Sequence, residues 1–119
     1  MPRLAFRITS SNLWKQAQAA GEFRGELVQE GFIHLSWPHQ VTKVADNLYR
    51  GQTDLVLLAV DLEPLIEHVK DEDLYGLGET YPHLYAALPV EAVLEAIPFP
   101  PRPDGTFELP AQAREIVTR

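Results

Sequence analysis

The chain has 119 residues, 45% of them hydrophobic, so it has the size of one domain (residues 1–119) and enough apolar material for one core. Seventeen acidic against ten basic residues give a net charge of −7, which argues against broad nucleic-acid binding. The absence of cysteine excludes disulfides, thiol nucleophiles and thiolate metal sites. No stretch resembles a signal peptide or approaches the roughly 20 apolar residues that span a bilayer, so we expect a cytoplasmic protein with no membrane partner.

Two helices are predicted in the first half of the chain, each after a strand. Residues 4–9 alternate apolar and polar side chains, which indicates a strand whose Arg7 points away from the core. Residues 12–20 repeat apolar side chains at helical spacing, and a glycine ends that helix. The second helix is predicted to begin at Pro38, because an N–H at the first helical position would have no partner within the helix, and to end at Gly51.

The remaining segments predict mainly strands. Residues 55–60 form an uninterrupted apolar run between two aspartates, which is typical of a central strand covered on both faces. Residues 71–80 contain two glycines and four acids and indicate a loop. Further predicted segments are one or two helical turns at 26–30, short strands at 66–69, 84–88, 93–99 and 107–109, and a terminal helix at 111–118. Five or six strands with two clear helices predict an α+β domain.

Two polar clusters interrupt this apolar pattern. The sequence GFIHLS at residues 31–36 carries one imidazole in the middle of an apolar strand and ends in a hydroxyl just before the second helix. The sequence ETYPHLY at residues 79–85 has a similar composition far away along the chain. We therefore predict that His34, Ser36 and His83 meet in one cleft.

The sequence resembles a small bacterial family, the domain of unknown function 952 family, over nearly its whole length. The specific signatures are GFIHLS at 31–36 and PHLYAAL at 82–88. Further positions that carry the resemblance are Trp14, Ala17, Gln40, Ala45, Asp61, Ala92 and Val93. The fold of this family is considered similar to that of the ADP-ribosyltransferases, in particular the RNA 2′-phosphotransferases. The resemblance therefore implies an ADP-ribosyltransferase-like, split, twisted and mostly antiparallel sheet with two main helices.

The same resemblance implies a cofactor and roles for several residues. In the transferase fold NAD lies in a cleft between two half-sheets, so NAD is the implied cofactor. Arg7 matches the basic residue of the first strand, and His34 and Ser36 match the second motif. The transferases also use an acidic residue on a late strand, which has no clear counterpart in this chain. Glu79 and His83 stand nearest to that position.

The polar candidates each have a functional and a structural interpretation. His34 and His83 can act as acid or base near neutral pH, or they can be histidines at the edge of the core that bind a backbone carbonyl. Arg7 can bind a phosphate through its five donors, or it can be a solvated charge. Ser36 can donate to a ligand or cap the second helix.

The aromatic and acidic candidates are less specific. Trp14 and Tyr85 can stack on a base or a nicotinamide, but aromatic residues at these spacings more often lie in the core. Glu79 and Glu30 are most simply solvated carboxylates of a loop and a helix end. Three histidines could hold a catalytic zinc ion, but no recognised ligand spacing is present, so we expect no metal.

We therefore predict a domain that binds a nucleotide or another phosphorylated small molecule, and an NAD-dependent transferase is the corresponding enzyme. Arg7 and the helix start after Ser36 would hold phosphate, while the two imidazoles would orient the sugar or transfer a proton. The alternative is a non-catalytic domain that keeps the fold and binds a protein. An open cleft lined by the imidazoles would favour the hypothesis of a small-molecule site. A cleft filled by Trp37 or Tyr85 would favour the hypothesis of a non-catalytic domain.

Overall fold

The structure is a computed structural model that describes residues 3–119, and within these residues it contains eight strands and four helices. The strands are β1 (Leu4–Ser10), β2 (Glu22–Phe23), β3 (Ile33–His34), β4 (Leu55–Asp61), β5 (Val69–Glu72), β6 (Tyr81–Leu84), β7 (Leu88–Pro89) and β8 (Val93–Pro98). The helices are α1 (Ser11–Ala20), α2 (Leu27–Glu30), α3 (Val41–Leu48) and α4 (Ala111–Val117). Two short 3₁₀ helices span Glu63–His68 and Val90–Ala92.

Local signals in the sequence account for the first two helices. The Ser10 hydroxyl caps α1 by accepting a hydrogen bond of 3.1 Å from the backbone N–H of Leu13. Gly21 and Gly31 follow α1 and α2 in the left-handed conformation, with φ of 88° and 85°, which glycine adopts at little cost. The predictions of a helix at 12–20 and of a helical turn before Gly31 are therefore confirmed.

The main sheet has the order β1-β4-β8, with antiparallel pairing throughout. Its central strand β4 is buried on both faces, since Leu58 and Val60 pack into one hydrophobic cluster while Leu57 and Ala59 pack into another. This confirms the prediction of a central strand from the apolar run, because only a strand covered on both sides can be apolar at every position.

A second sheet has the order β3-β6-β5, and its pairs are also antiparallel. The two sheets meet where Phe6 and Ser36 exchange backbone hydrogen bonds of 2.8 and 2.9 Å. A small third pair joins β2 to β7. The described chain is thus an α+β domain whose antiparallel strands form two sheets that meet at β1 and β3.

The start of α3 differs from the prediction. The helix begins at Val41, three residues after Pro38, and it ends at Leu48, before Gly51. Residues 37–40 instead form a turn, in which the Gln40 side chain accepts a hydrogen bond of 3.0 Å from the N–H of Trp37. The predicted helix start at Pro38, which was expected to hold phosphate, was therefore wrong.

Several strand boundaries were also wrong. The strand predicted at 31–36 is shorter because β3 covers only Ile33–His34, with one further pairing at Ser36. The first three residues of the PHLY motif lie in β6 (Tyr81–Leu84), earlier than the predicted strand at 84–88. Strand β5 begins at Val69, where the strand predicted at 66–69 was expected to end. Residues 107–109 form no strand, since the N–H of Phe107 bonds to the Asp46 side chain at 2.7 Å.

Candidate functional site

A cleft of about 570 Å³ opens where β1, β3 and β6 come together beside the loop at residues 73–80. The structure brings Arg7, His34, Ser36 and His83 into the lining of this one cleft. Its volume is within the range of small-molecule sites, about 300–1,000 Å³. The cleft is therefore the candidate small-molecule site.

Strand pairing places the two imidazoles side by side. His34 of β3 lies directly opposite His83 of β6, and their ring centroids are 5.3 Å apart in an edge-on arrangement. Residues opposite each other in antiparallel strands project to the same face of the sheet, which explains why both rings reach the cleft. The ring of Phe32 packs on both, at centroid distances of 4.8 Å from His34 and 4.4 Å from His83.

A carboxylate that the sequence analysis did not single out holds His34. Glu26 Oε2 accepts hydrogen bonds from His34 Nδ1 at 2.6 Å, from the His34 backbone N–H at 2.7 Å and from Arg7 Nη1 at 2.8 Å. Because an ionised carboxylate only accepts, Nδ1 of His34 carries the hydrogen. Nε2 is then left for the cleft, as in other carboxylate–histidine pairs.

The electrostatics of this cluster favour an ionised Glu26. Burial alone would raise the pKa of Glu26, but hydrogen bonds from His34 and Arg7 and the positive charge of Arg7 outweigh it and hold the pKa well below its usual range. A tight turn supplies this carboxylate: Gly25 has φ of 49°, and a Cβ there would lie 2.9 Å from the Phe23 ring. The turn thus brings Glu26 against Arg7 and His34.

A second carboxylate holds His83. His83 is 1% exposed, and its Nδ1 lies 3.0 Å from Glu72 Oε2 on β5. The Tyr85 hydroxyl donates to the same oxygen. The hydrogen bonds from Tyr85 and His83 lower the pKa of Glu72. The hydrogen bond to Glu72 and, to a smaller extent, desolvation raise the pKa of Tyr85 to about 12. Glu72 thus holds the His83 ring through Nδ1, and Nε2 is the ring nitrogen that Glu72 does not contact.

A loop tyrosine contacts His34 from the open side. Tyr75 Oη lies 2.9 Å from His34 Nε2 and 3.5 Å from Glu30 Oε1, although 55% of the residue is exposed. Its ring runs nearly parallel to the imidazole, with centroids 6.0 Å apart. Desolvation and the Glu30 carboxylate raise the pKa of Tyr75, so the phenol is neutral at neutral pH. The hydroxyl therefore sits at the His34 nitrogen that faces the cleft.

Three predicted ligand-binding residues lie outside the lining. Trp14 is 9% exposed and packs in the hydrophobic core. Tyr85 lies behind the cleft, where its ring packs on Phe32 with centroids 5.2 Å apart. Glu79 forms an ion pair with Lys43 and accepts from the Tyr81 hydroxyl at 3.0 Å. None of these three residues lines the cleft, although Tyr85 shares the Glu72 oxygen with His83.

Arg7 and Ser36 line the cleft, but their contacts differ from the predicted ones. The Arg7 side chain is only 13% exposed, so the prediction that it points away from the core was wrong. Its Nη1 also donates to the His34 carbonyl at 3.1 Å, and its guanidinium lies over the Phe23 ring at 5.1 Å. Ser36 is 6% exposed and lines the cleft without capping a helix. Trp37 does not fill the cleft, since its indole N–H donates to Asp71.

The functional candidates that sequence reasoning missed are Glu26 and Tyr75. Only the preceding Gly25 hinted at Glu26, because a glycine can mark a tight turn. Tyr75 had a clearer signal, because an aromatic residue between Leu74 and Leu77 is unusual in an acidic, glycine-containing loop. All three side chains are exposed in the structure. Neither signal is strong enough to place a side chain at His34.

Residues 3–119 contain neither a metal-ion cluster nor a membrane-spanning helix. No group of three or more histidines and carboxylates in this part of the chain is arranged to hold a metal ion. No helix within it is both long and apolar enough to cross a bilayer.

Comparisons with known proteins give a family and a fold. A family described as "Protein of unknown function (DUF952)" matches residues 8–96. The crystal structure of protein CC0527 from Caulobacter crescentus is 38% identical, covers 93% of this chain and 98% of that chain, and has a TM-score of 0.84. The solution NMR structure of CC0527 is 40% identical over 90% of this chain and 93% of that chain, with a TM-score of 0.80. No curated protein matches the sequence.

Proposed function

The chain belongs to the DUF952 family, proteins of unknown function, and from the geometry of its cleft we propose that it binds NAD, or a related nucleotide, and transfers the ADP-ribosyl group. The observation that carries this proposal is the Glu26–His34 pair, whose second imidazole nitrogen, Nε2, faces the cleft and contacts the Tyr75 hydroxyl. A hydrogen-bonded base that a carboxylate orients is a recurrent arrangement for activating a hydroxyl.

The shape of the cleft supports a ligand with both an apolar ring and a sugar. The lining includes apolar side chains, of which Leu48 is the most exposed, and a nicotinamide ring can pack on such a side chain. The lining also includes Glu30 and the two imidazoles, which offer hydrogen-bond acceptors and donors to ribose hydroxyls. The position of the cleft, where the two three-stranded sheets meet, is also where NAD lies in the ADP-ribosyltransferases that the sequence resembles.

In the proposed step His34 Nε2 takes the proton of an acceptor hydroxyl. The acceptor oxygen forms a bond to C1′ of the ribose, the C1′–nitrogen bond breaks, and its electron pair leaves with nicotinamide. Glu26 keeps His34 in the required tautomer and stabilises the imidazolium that forms. Glu26 thus takes the place of the acid for which Glu79 and His83 were the nearest sequence candidates.

Arg7 has a smaller role in this proposal than the resemblance implies. Its charge is balanced by Glu26, and Glu30 adds a further negative charge at the cleft. A phosphate group in contact with both carboxylates would be repelled. We therefore place the pyrophosphate towards solvent and assign Arg7 the task of keeping Glu26 ionised.

The proposal is tested by thermal unfolding of the wild-type protein with and without millimolar NAD. A ligand at 100 times its dissociation constant adds about 2.7 kcal/mol, which for a domain of this size raises the midpoint by about 10 °C. His34→Ala should lose this rise. His39→Ala, which removes an exposed histidine outside the cleft lining, should keep it. No rise in the wild type, or an equal rise in His34→Ala, would overturn the proposal.

The second candidate is a non-catalytic domain that binds a protein through the rim of the cleft. Leu48 and Leu77 line the cleft and are 71% and 63% exposed, which favours an apolar contact at the rim. This candidate predicts that NAD leaves the unfolding midpoint unchanged.

A further inference from the structure

A hydroxyl, an imidazole and a carboxylate form one hydrogen-bonded chain in the cleft. Tyr75 Oη lies 2.9 Å from His34 Nε2, and His34 Nδ1 lies 2.6 Å from Glu26 Oε2. A nucleophile within hydrogen-bonding reach of a base, with a third group that orients the base, is the geometric signature of an activated nucleophile. Tyrosine is one of the side chains that form covalent intermediates in this way.

The loop holds the Tyr75 hydroxyl at this position. Asp73 accepts hydrogen bonds of 2.9 Å from the backbone N–H groups of both Leu77 and Gly78, which closes residues 73–78 into a compact turn. Gly76 and Gly78 take positive φ of 67° and 80°, which lets the chain reverse direction around Tyr75. The phenol is thereby directed at the imidazole while most of the loop is exposed.

We propose that Tyr75 is itself an acceptor, so that the protein carries a self-modification site for an ADP-ribosyl group donated by NAD. The Tyr75 oxygen forms the bond to C1′ of the ribose as its proton moves to His34 Nε2. The bond from C1′ to the nicotinamide nitrogen breaks, and nicotinamide departs with that electron pair. This inference rests on the proposed function, because it needs NAD in the same cleft.

The geometry selects Tyr75 over neighbouring tyrosines. The hydroxyls of Tyr81 and Tyr85 donate to the carboxylates of Glu79 and Glu72, and within the described residues neither bonds to an imidazole. A carboxylate is a much weaker base than an imidazole and accepts a phenolic proton less readily. Since the pKa of Tyr75 is raised, its phenol also needs a base such as His34 to become nucleophilic.

The test is intact-mass and peptide mass spectrometry after incubation of the full chain with NAD. The wild type should gain one ADP-ribosyl group on Tyr75 and release one equivalent of nicotinamide. Tyr75→Phe and His34→Ala should gain none. Tyr85→Phe, which removes a tyrosine hydroxyl outside the cleft lining, should keep the label on Tyr75.

Other outcomes would overturn the inference. A label on another residue, a label that persists in Tyr75→Phe, or nicotinamide release without a label would each show that Tyr75 is not the acceptor. NAD that stabilises the protein without labelling it would refute this inference alone. Absence of any stabilisation by NAD would refute the proposed function together with it.

Discussion

Replacing Glu26 by Gln should destabilise the fold at neutral pH, because it removes the charge on which three hydrogen bonds converge. The donors are Arg7 Nη1, His34 Nδ1 and the His34 backbone N–H, at 2.8, 2.6 and 2.7 Å. The amide of Gln has nearly the same shape, so the packing is retained. Only 17% of the Glu26 side chain is exposed, so solvent screens the lost charge only in part.

The magnitude follows from these three bonds. A hydrogen bond to a charged group contributes about 1.5–3 kcal/mol, and one between neutral groups about 1 kcal/mol. Loss of the charge at three bonds therefore lowers the free energy of unfolding by about 3 kcal/mol, and the smaller desolvation penalty of the amide offsets part of this loss. We expect a net loss of about 2 kcal/mol, or about 8 °C in the unfolding midpoint.

The assay is urea denaturation across pH, with Glu22→Gln as the matched control. Glu22 pairs with Arg24 at 2.6 Å on the surface, where such pairs contribute about 0.2–1 kcal/mol. Because the folded-state pKa of Glu26 lies below its usual value of 4.5, its contribution is fully present above that pH and is lost as the pH falls. The gap between wild type and Glu26→Gln should therefore shrink in acid. Equal stability of the two at pH 7, or a gap that widens in acid, would refute the reasoning.

Two further predictions concern the surroundings of the site. Gly25→Ala should lower the free energy of unfolding in urea by about 2–3 kcal/mol, because φ is positive and the new Cβ would meet the Phe23 ring. Gly31→Ala also has a positive φ but no atom near the new Cβ, so it should lower that free energy by only about 1 kcal/mol. Equal losses in the two variants would contradict this. Tyr85→Phe should remove the tyrosine that ionises near pH 12 in an absorbance titration. The bond to Glu72 raises that pKa in the folded state, so its stabilisation is lost as pH rises from about 10 to about 12.

The parts of the fold that could be predicted from the sequence are those set by neighbouring residues. The helix at 12–20 carries its own cap and stop signals, Ser10 and Gly21. The strand at 55–60 carries an uninterrupted apolar run because both faces of the sheet are covered there. These elements need no knowledge of distant contacts.

Contacts between distant residues decided the elements that were misplaced. The side chain of Gln40 donates to the Thr80 carbonyl at 2.7 Å, across 40 positions, and also orders the turn that delays α3. The PHLY segment becomes strand β6 because it pairs with both β3 and β5. Local periodicity carries no information about either contact.

The candidate site also contains residues that the sequence indicates and residues that only distant contacts bring there. His34 and His83 stood out because an imidazole in an apolar strand is conspicuous, and their cross-strand pairing brought both into the cleft. Glu26 and Tyr75 come from a turn and a loop, and only the folded chain brings them within 2.6 and 2.9 Å of His34. The sequence therefore predicts the bases of the site better than the groups that orient or contact them.

The proposed binding of NAD in the cleft at His34 is tested most directly by an NMR titration of the ¹⁵N-labelled protein with NAD. We predict saturable changes in the backbone amide signals of His34, Tyr75 and His83, and little change at the exposed residue Val28 of α2, outside the cleft lining. Unchanged spectra at millimolar NAD, or changes confined to surfaces away from the cleft, would contradict it.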